Sequence, residues 1–449
     1  MKLFVYKILA LSFIMLALII GCSSPAGSPA VTTQGTSGES EVITTTTVAT
    51  TSSVAPEPDV HLVFATFKSD WVPMLEDLFE IYMADNPNVK SIDIFTGPSG
   101  NYFDDLKTQI ASGTLANIFN LRGDEFGREW KEHLQDVTGT DAVNSVKNGF
   151  TDSFTWDGMI YGAYFNYEVH GIVWNMEMLN QIGFDNVPKT KSEFDKVIEL
   201  SQDAGLPTGI CLFGSASYLY NQIGTIPFNI YGNYKENFNN LINGTTDIVN
   251  DKNWNIFYDF LESLNAAGQP DSLSTNAETS DLGLLSGEYL FALGGTYLAV
   301  KAISIEPDFG EKFRVGPYVA VDDREFYAFN NQGFVVGNQG DEATNKAALK
   351  FYDWWYTNEQ VATVLTNEAK VLLTNKNYVA PDTALDAFTI AARDALTDNN
   401  WAPIRYNTGD AMNRDWAAAV QKFIASEMTR EESLAATGEL FRAEAYEIN

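Results

Sequence analysis

Past residue 59 the chain alternates between two hydrophobic periods. VHLVFATF (60–67) is apolar over the length of a strand. In WVPMLEDLFEIYMADNP, residues Trp71, Met74, Leu75, Leu78 and Ile81 recur at helical spacing until Pro87 stops the pattern. VKSIDIFTG alternates as a strand, NYFDDLKTQIASG reads as a helix closed by Gly113, and ANIFNL reads as a third strand. A second block opens near Gly171 with the strand GIVWN, a helix from Glu177, and a helix in PKTKSEFDKVIELSQDAG. That last helix starts with a capping box, Thr190 with Glu193 three residues on. TGICLFG reads as a buried strand, helices follow around 218–231 and 254–267, and EYLFALGGTY, KFRVGPYVA, REFYAF and GFVVGN read as strands before a mostly helical remainder. The alternation predicts an α/β fold of mainly parallel sheets flanked by helices, with ligands bound beyond the carboxyl ends of strands. Two such blocks without an internal repeat, followed by elements that can return to either, describe two lobes joined by more than one crossover.

Before residue 59 the pattern changes. Lys2 and Lys7 precede an apolar run over residues 8–20, the layout of a secretory signal and too short for a membrane span. Ile19, Ile20, Gly21 and Cys22 resemble a bacterial lipobox and are followed by Ser23 and Ser24. That resemblance implies cleavage before Cys22 and lipid on its sulfur; the plainer alternative is an ordinary signal peptide with a chance cysteine. From there to about Pro58 the chain is almost all Ser, Thr, Gly, Pro and Ala, which cannot bury enough apolar surface to fold. The expectation is a leader over 1–22 and a disordered tether over 23–58, with a reach of roughly 30–35 Å.

Composition narrows the body beyond the tether. About 390 residues suggest two to three domains, and 45% hydrophobic residues suffice for large cores. A net charge of −31 argues against nucleic acid and against anionic ligands in general. Apart from Cys22 only Cys211 remains, so no intramolecular disulfide can form. His61, His133 and His170 are scattered, and the chain holds no HExxH, no CxxC, no convincing calcium loop and no GxSxG elbow. No metal and no cofactor are expected.

Several stretches in order carry a resemblance. FEIYMADNPNVK is similar to a helix before NPxIKV, DDLKTQIASGTLANIF to KLxxxxASGxxPDIF, and DGMIYGAYFNYEVHGIVWNMEMLNQIGFDNVPKTKSEF to DGKxYGxPxxxxxxxxxYNKDLFxxAGxxxPPKTWDEF. LLSGEYLFALGGTYLA is similar to FxxGKAAMxxxGxWxx, and MTREESLAATGELF to xSxEEALxxAxxxx. All five belong to the extracellular sugar-binding proteins of bacterial ABC importers, solute-binding protein family 1, the maltose-binding-protein-like group. Ala116 and Asn117 replace the usual Pro-Asp, Tyr164 replaces a Pro, and Tyr297 replaces a Trp. The resemblance implies a type II two-lobe periplasmic-binding-protein-like clamp. Its N-terminal lobe would take 59–168 and 326–375 and its C-terminal lobe 169–325 and 376–449, with hinge crossovers near Glu168 and Phe329. It also implies a lipid-anchored monomer on the extracytoplasmic face of the bacterial cell membrane, one that hands a carbohydrate to an ABC permease and is not an enzyme.

A sugar needs aromatic rings against its C–H faces and carboxylates, amides or guanidinium forks at its hydroxyl rim. Asn120, Arg122 and Asp124 follow a strand, and the resemblance puts ligand contacts at Asn120 and near Asp124; a solvated polar loop is the bland reading. Glu168 aligns with a family carboxylate at the hinge, against a surface salt bridge. Tyr297 stands where the family stacks a Trp, after Gly294 and Gly295, a pair that lets backbone approach a ligand. Trp416 matches another stacking position but also joins Val420 and Phe423 in a helical apolar stripe. Phe67 is a cleft wall or helix core, and Tyr218 begins a helix after CLFGSAS. Trp71, Trp254, Trp354 and Trp355 read as core. The competing functions are a secreted carbohydrate-active enzyme, needing two carboxylates about 5 to 10 Å apart, and a surface sugar receptor or adhesin.

Overall fold

The computed structural model describes residues 57–97, 102–123, 130–303, 305–306, 308–396, 400–403 and 408–445. The expected leader, Cys22 and nearly all of the tether lie outside them. The first block forms as its periodicity predicts. Strand β1 (Val60–Thr66) pairs in parallel with β2 (Val89–Thr96) and β3 (Ile118–Leu121). The helix Val72–Asp85 starts with a proline in its first turn, where the missing N–H costs nothing. It buries Met74, Leu75, Leu78, Phe79 and Tyr82, and leaves Ile81 at the edge of the stripe. The helix Tyr102–Ser112 ends at Gly113, whose φ of +72° suits glycine.

After the small hairpin β4 (Thr155–Trp156) and β5 (Met159–Ile160) comes β6 (Gly162–Asn175), 14 residues long, of which GIVWN is only the last part. Its first half pairs with β9 (Tyr327–Val336), its second half with β7 (Phe291–Gly295) and β8 (Phe313–Gly316). REFYAF and GFVVGN, expected as two strands, contribute to this single β9. The short β10 (Leu372–Leu373) and β11 (Trp401–Pro403) add to β6 and β9, giving the path β10-β6-β9-β3-β1-β2. The sheet is mixed rather than mainly parallel, because β6 and β9 run antiparallel to each other and β9 antiparallel to β3.

Two local expectations are corrected. TGICLFG makes only isolated bridges, Gly209 to Gly268 and Ile210 to Ala292. The Gln269 side chain stands in for a neighbouring strand there, accepting from Cys211 N at 2.8 Å and donating to Cys211 O at 2.7 Å. The capping box at Thr190 is half made: Thr190 Oγ1 accepts from Glu193 N, but the Glu193 carboxylate accepts from Lys189 N. Of the tryptophans read as core, Trp71, Trp254 and Trp355 are buried and Trp354 is half-buried. The largest core gathers around Phe64, Phe79, Phe334, Phe351 and Trp355; a second gathers around Trp174, Phe257, Phe291 and Trp416.

Candidate functional site

Strand β6 is buried along almost its whole length, and its side chains alternate between two packed sides. Tyr167, Val169 and Val173 enter the largest core. The alternate positions hold Asn166, Glu168 and His170, continued by Ile172 and Trp174 in the second core. Three polar residues in a row are thereby buried in the strand that crosses from one half of the sheet to the other. Burying polar groups costs free energy unless they are paired; Glu168 and His170 find partners in distant segments, whereas the Asn166 amide has no hydrogen-bond partner among the described residues.

Lys68, just past the end of β1, donates from Nζ to Glu168 Oε1 at 2.9 Å. His170 Nε2 lies 3.6 Å from Glu168 Oε2, and His170 Nδ1 lies 3.0 Å from Gln222 Oε1. The Lys68, Glu168 and His170 side chains are only 18%, 9% and 2% exposed. Burial alone would raise the Glu168 pKa from its ordinary 4.5, but Lys68 and His170 outweigh it and hold the carboxyl down at about 2. The result is a charged acceptor fixed in a largely dry position. Gln222 belongs to a π-helical turn, Leu219–Ile223, a backbone form that recurs at functional sites.

Tyr297 follows β7 and is tied to the crossing point. Val169 N donates to Thr296 Oγ1 at 3.1 Å, and Thr296 N donates to Val169 O at 3.0 Å. The Tyr297 ring packs against the His170 imidazole, centroids 5.4 Å apart, with Lys301 Nζ 5.8 Å from its centre. Lys301 is itself paired with Asp281 at 2.7 Å. The closeness permitted by Gly295 is to protein: a Cβ there would stand 2.6 Å from Val169 O and 2.8 Å from His170 Cδ2. Burial, then Asp281 and Glu168, push the Tyr297 phenol well above its ordinary range.

The other sequence candidates fall into two groups. Phe67 packs edge-on against Tyr102 at 5.6 Å, and the Arg122 guanidinium lies 5.9 Å from the Phe67 ring and 5.1 Å from that of Phe103. Asn120 is buried beside them; its N–H donates to Tyr102 Oη, its amide donates to Gly333 O, and its Oδ1 has no hydrogen-bond partner among the described residues. Phe67 precedes Lys68 in sequence, so this aromatic and guanidinium group starts at the same end of β1 as the Lys68–Glu168 pair. Tyr218 is buried, with a phenol raised by burial and further by Cys211, Tyr297 and Tyr318. Trp416 is 3% exposed and stacks on Phe257 in the second core; a Cβ on Gly224, two residues past Gln222, would meet its ring at 3.4 Å. Asp124 lies outside the described residues.

Lys68, His170 and Gln222 are the members of this arrangement that sequence reading left out. One signal was available: in FNYEVHG the polar residues Asn166, Glu168 and His170 occupy every second position of an otherwise apolar strand. Nothing local marks Lys68 or Gln222.

The comparisons agree with this architecture. A sequence profile described as bacterial extracellular solute-binding protein matches residues 77–392, well over half the chain. The chain is 23% identical over 150 residues to a multiple sugar-binding protein of Streptococcus mutans, a match spanning 33% of this chain and 35% of that relative. Among solved structures it is similar to a chitin oligosaccharide binding protein (TM-score 0.72, 18% identity, 86% of this chain and 98% of the other). It is also similar to a maltose-bound protein of T. maritima (TM-score 0.71, 15% identity, 85% and 99%). At such identities the structural likenesses speak for the fold, that of type II periplasmic-binding-protein-like molecules.

Proposed function

The chain belongs to the bacterial extracellular solute-binding proteins, and on that premise we propose that it captures a carbohydrate, an oligosaccharide by preference, and delivers it to an ABC transporter permease. The observation that carries the reading is the Glu168 carboxylate, held charged by Lys68 and His170, with the Tyr297 ring packed against that His170. A fixed anionic acceptor with an aromatic ring in the same cluster offers what sugar hydroxyls and C–H faces require. The names of the similar proteins, binders of multiple sugars, chitin oligosaccharides and maltose, support the same class.

The contacts of this ligand are proposed as Phe67, Asn120, Arg122, Asp124, Glu168, Tyr218 and Tyr297, with Lys68 added from the geometry, while Trp416, stacked on Phe257, is assigned to packing of the second core. The lobes, 59–168 with 326–375 and 169–325 with 376–449, would close about β6 and β9 where Glu168 pairs with Asn330 and Val169 with Phe329. Turnover is disfavoured on physical grounds: a glycosidase acid needs a raised pKa, whereas Glu168 is depressed to about 2. Cys22 would carry the lipid that keeps a monomer at the outer face of the membrane, two acyl chains being needed for stable anchoring.

A thermal-shift and calorimetric screen over maltose, maltotriose and chitotriose tests the reading. A sugar at 100 times its Kd should add roughly 2.7 kcal/mol of stability and be recovered intact. No binding across the panel, or cleavage of the bound sugar, overturns it. Cys22→Ala should release the protein into the medium with binding unchanged.

A further inference from the structure

We propose that His170 is the positioning residue of the site: it carries a proton on Nε2, and with Gln222 behind it holds the Glu168 carboxylate in the orientation that receives ligand hydroxyls. The inference rests on the sugar-binding reading for its consequence, but the hydrogen arrangement stands on geometry alone. The imidazole is wedged between two polar groups. Gln222 Oε1 lies 3.0 Å from Nδ1, Glu168 Oε2 lies 3.6 Å from Nε2, and the Tyr297 ring packs against the imidazole. Nε2 is buried and has no hydrogen-bond partner among the described residues, so Glu168 is the polar group it faces.

A lone pair on Nε2 would face an oxygen of a carboxylate whose side chain is 9% exposed, a repulsive arrangement that costs free energy in low-dielectric surroundings. A proton there turns repulsion into a charge-assisted attraction. The neutral ring with its proton on Nδ1 leaves that repulsion in place, and the two arrangements that relieve it put the proton on Nε2. In one the ring is doubly protonated and donates from Nδ1 to Gln222 Oε1; in the other the Gln222 amide is turned, and Nδ1 accepts from it. Lys68 donates to Oε1 and His170 Nε2 stands 3.6 Å from Oε2, so each carboxylate oxygen has a nitrogen group beside it.

The support reaches further back. A Cβ on Gly295 would stand 2.8 Å from the His170 ring, so the strand beside the ring admits only glycine. Gln222 comes from a π-helical turn, which departs from regular helix where it meets the imidazole. Lys68, Glu168, His170, Gln222 and Tyr297 therefore form one connected unit built from the end of β1, β6, the π turn and the residue past β7.

Two measurements test the proposal on the purified full chain. With nitrogen-15-labelled histidine, the chain holds three imidazoles, and the one missing in His170→Gln is His170. Its ligand-free spectrum should show a proton on Nε2; an Nε2 without a proton near neutral pH overturns the proposal. The second measurement compares His170→Gln, whose amide reaches the Nε2 position, with His170→Asn, which reaches only toward Gln222. With the sugar that binds wild type among maltose, maltotriose and chitotriose, His170→Gln should stay within about threefold of wild-type affinity, and His170→Asn should lose about tenfold or more. Equal affinity of both variants overturns the proposal, provided both unfold near the wild-type temperature; if either does not, the spectrum decides. If no sugar binds wild type, the function reading fails, while the spectrum still decides the place of the proton.

Discussion

Replacing Lys68 by methionine keeps the length of the side chain and removes the cation nearest to Glu168. The carboxylate would then lose the ammonium 2.9 Å from its Oε1 and keep His170 beside it, with the Lys68 and Glu168 side chains only 18% and 9% exposed in the intact protein. A carboxyl held at about 2 against an ordinary 4.5 prefers its charged form in the folded protein by roughly 3 kcal/mol. Breaking a buried pair from one side costs about 3–5 kcal/mol. His170 remains, so we expect Lys68→Met to lose about 2–3 kcal/mol at neutral pH. The loss should depend on pH in a definite direction. Because Glu168 is depressed in the folded protein, its contribution is complete above an unfolded carboxyl's 4.5 and disappears as pH falls from there through about 2. The gap between wild type and Lys68→Met should therefore shrink by roughly a third to a half by about pH 3. Urea unfolding across pH measures it, and the double variant Lys68→Met with Glu168→Gln should recover most of the loss. A gap that stays constant with pH, or a double variant as unstable as the single one, would refute the account of Glu168 as a buried charge held by Lys68.

Three further outcomes follow from placement. Tyr297→Ala should weaken sugar binding by about 2 kcal/mol, some 30-fold, by calorimetry; unaltered affinity with lost stability would return the ring to the core. Trp416→Ala should cost about 3–5 kcal/mol of stability in urea because the ring is buried against Phe257; a stable variant with lost affinity would instead place it at the ligand. Gly295→Ala should destabilise by about 1–3 kcal/mol, since its Cβ would crowd Val169 O and the His170 ring, and a wild-type unfolding midpoint would contradict that crowding.

Periodicity was enough to locate most elements, because a helix or strand that buries one side writes its period into neighbouring residues. The helix Val72–Asp85, the parallel trio β1, β2 and β3, and the N-cap at Thr190 were legible for that reason. Glu168 and Tyr297 were legible through the order of motifs along the chain. The tertiary structure alone decided the rest. Whether REFYAF and GFVVGN are two strands or one depends on what lies beside them, and β6 supplies a continuous partner. TGICLFG looks like a strand until Gln269, 58 residues from Cys211, takes the place of its neighbour. Lys68 is 100 residues from Glu168, and Gln222 is 52 from His170. Such pairs leave no period in either segment. They form because folding buries a carboxylate in a crossing strand, and a buried charge is tolerated only where the chain brings it partners.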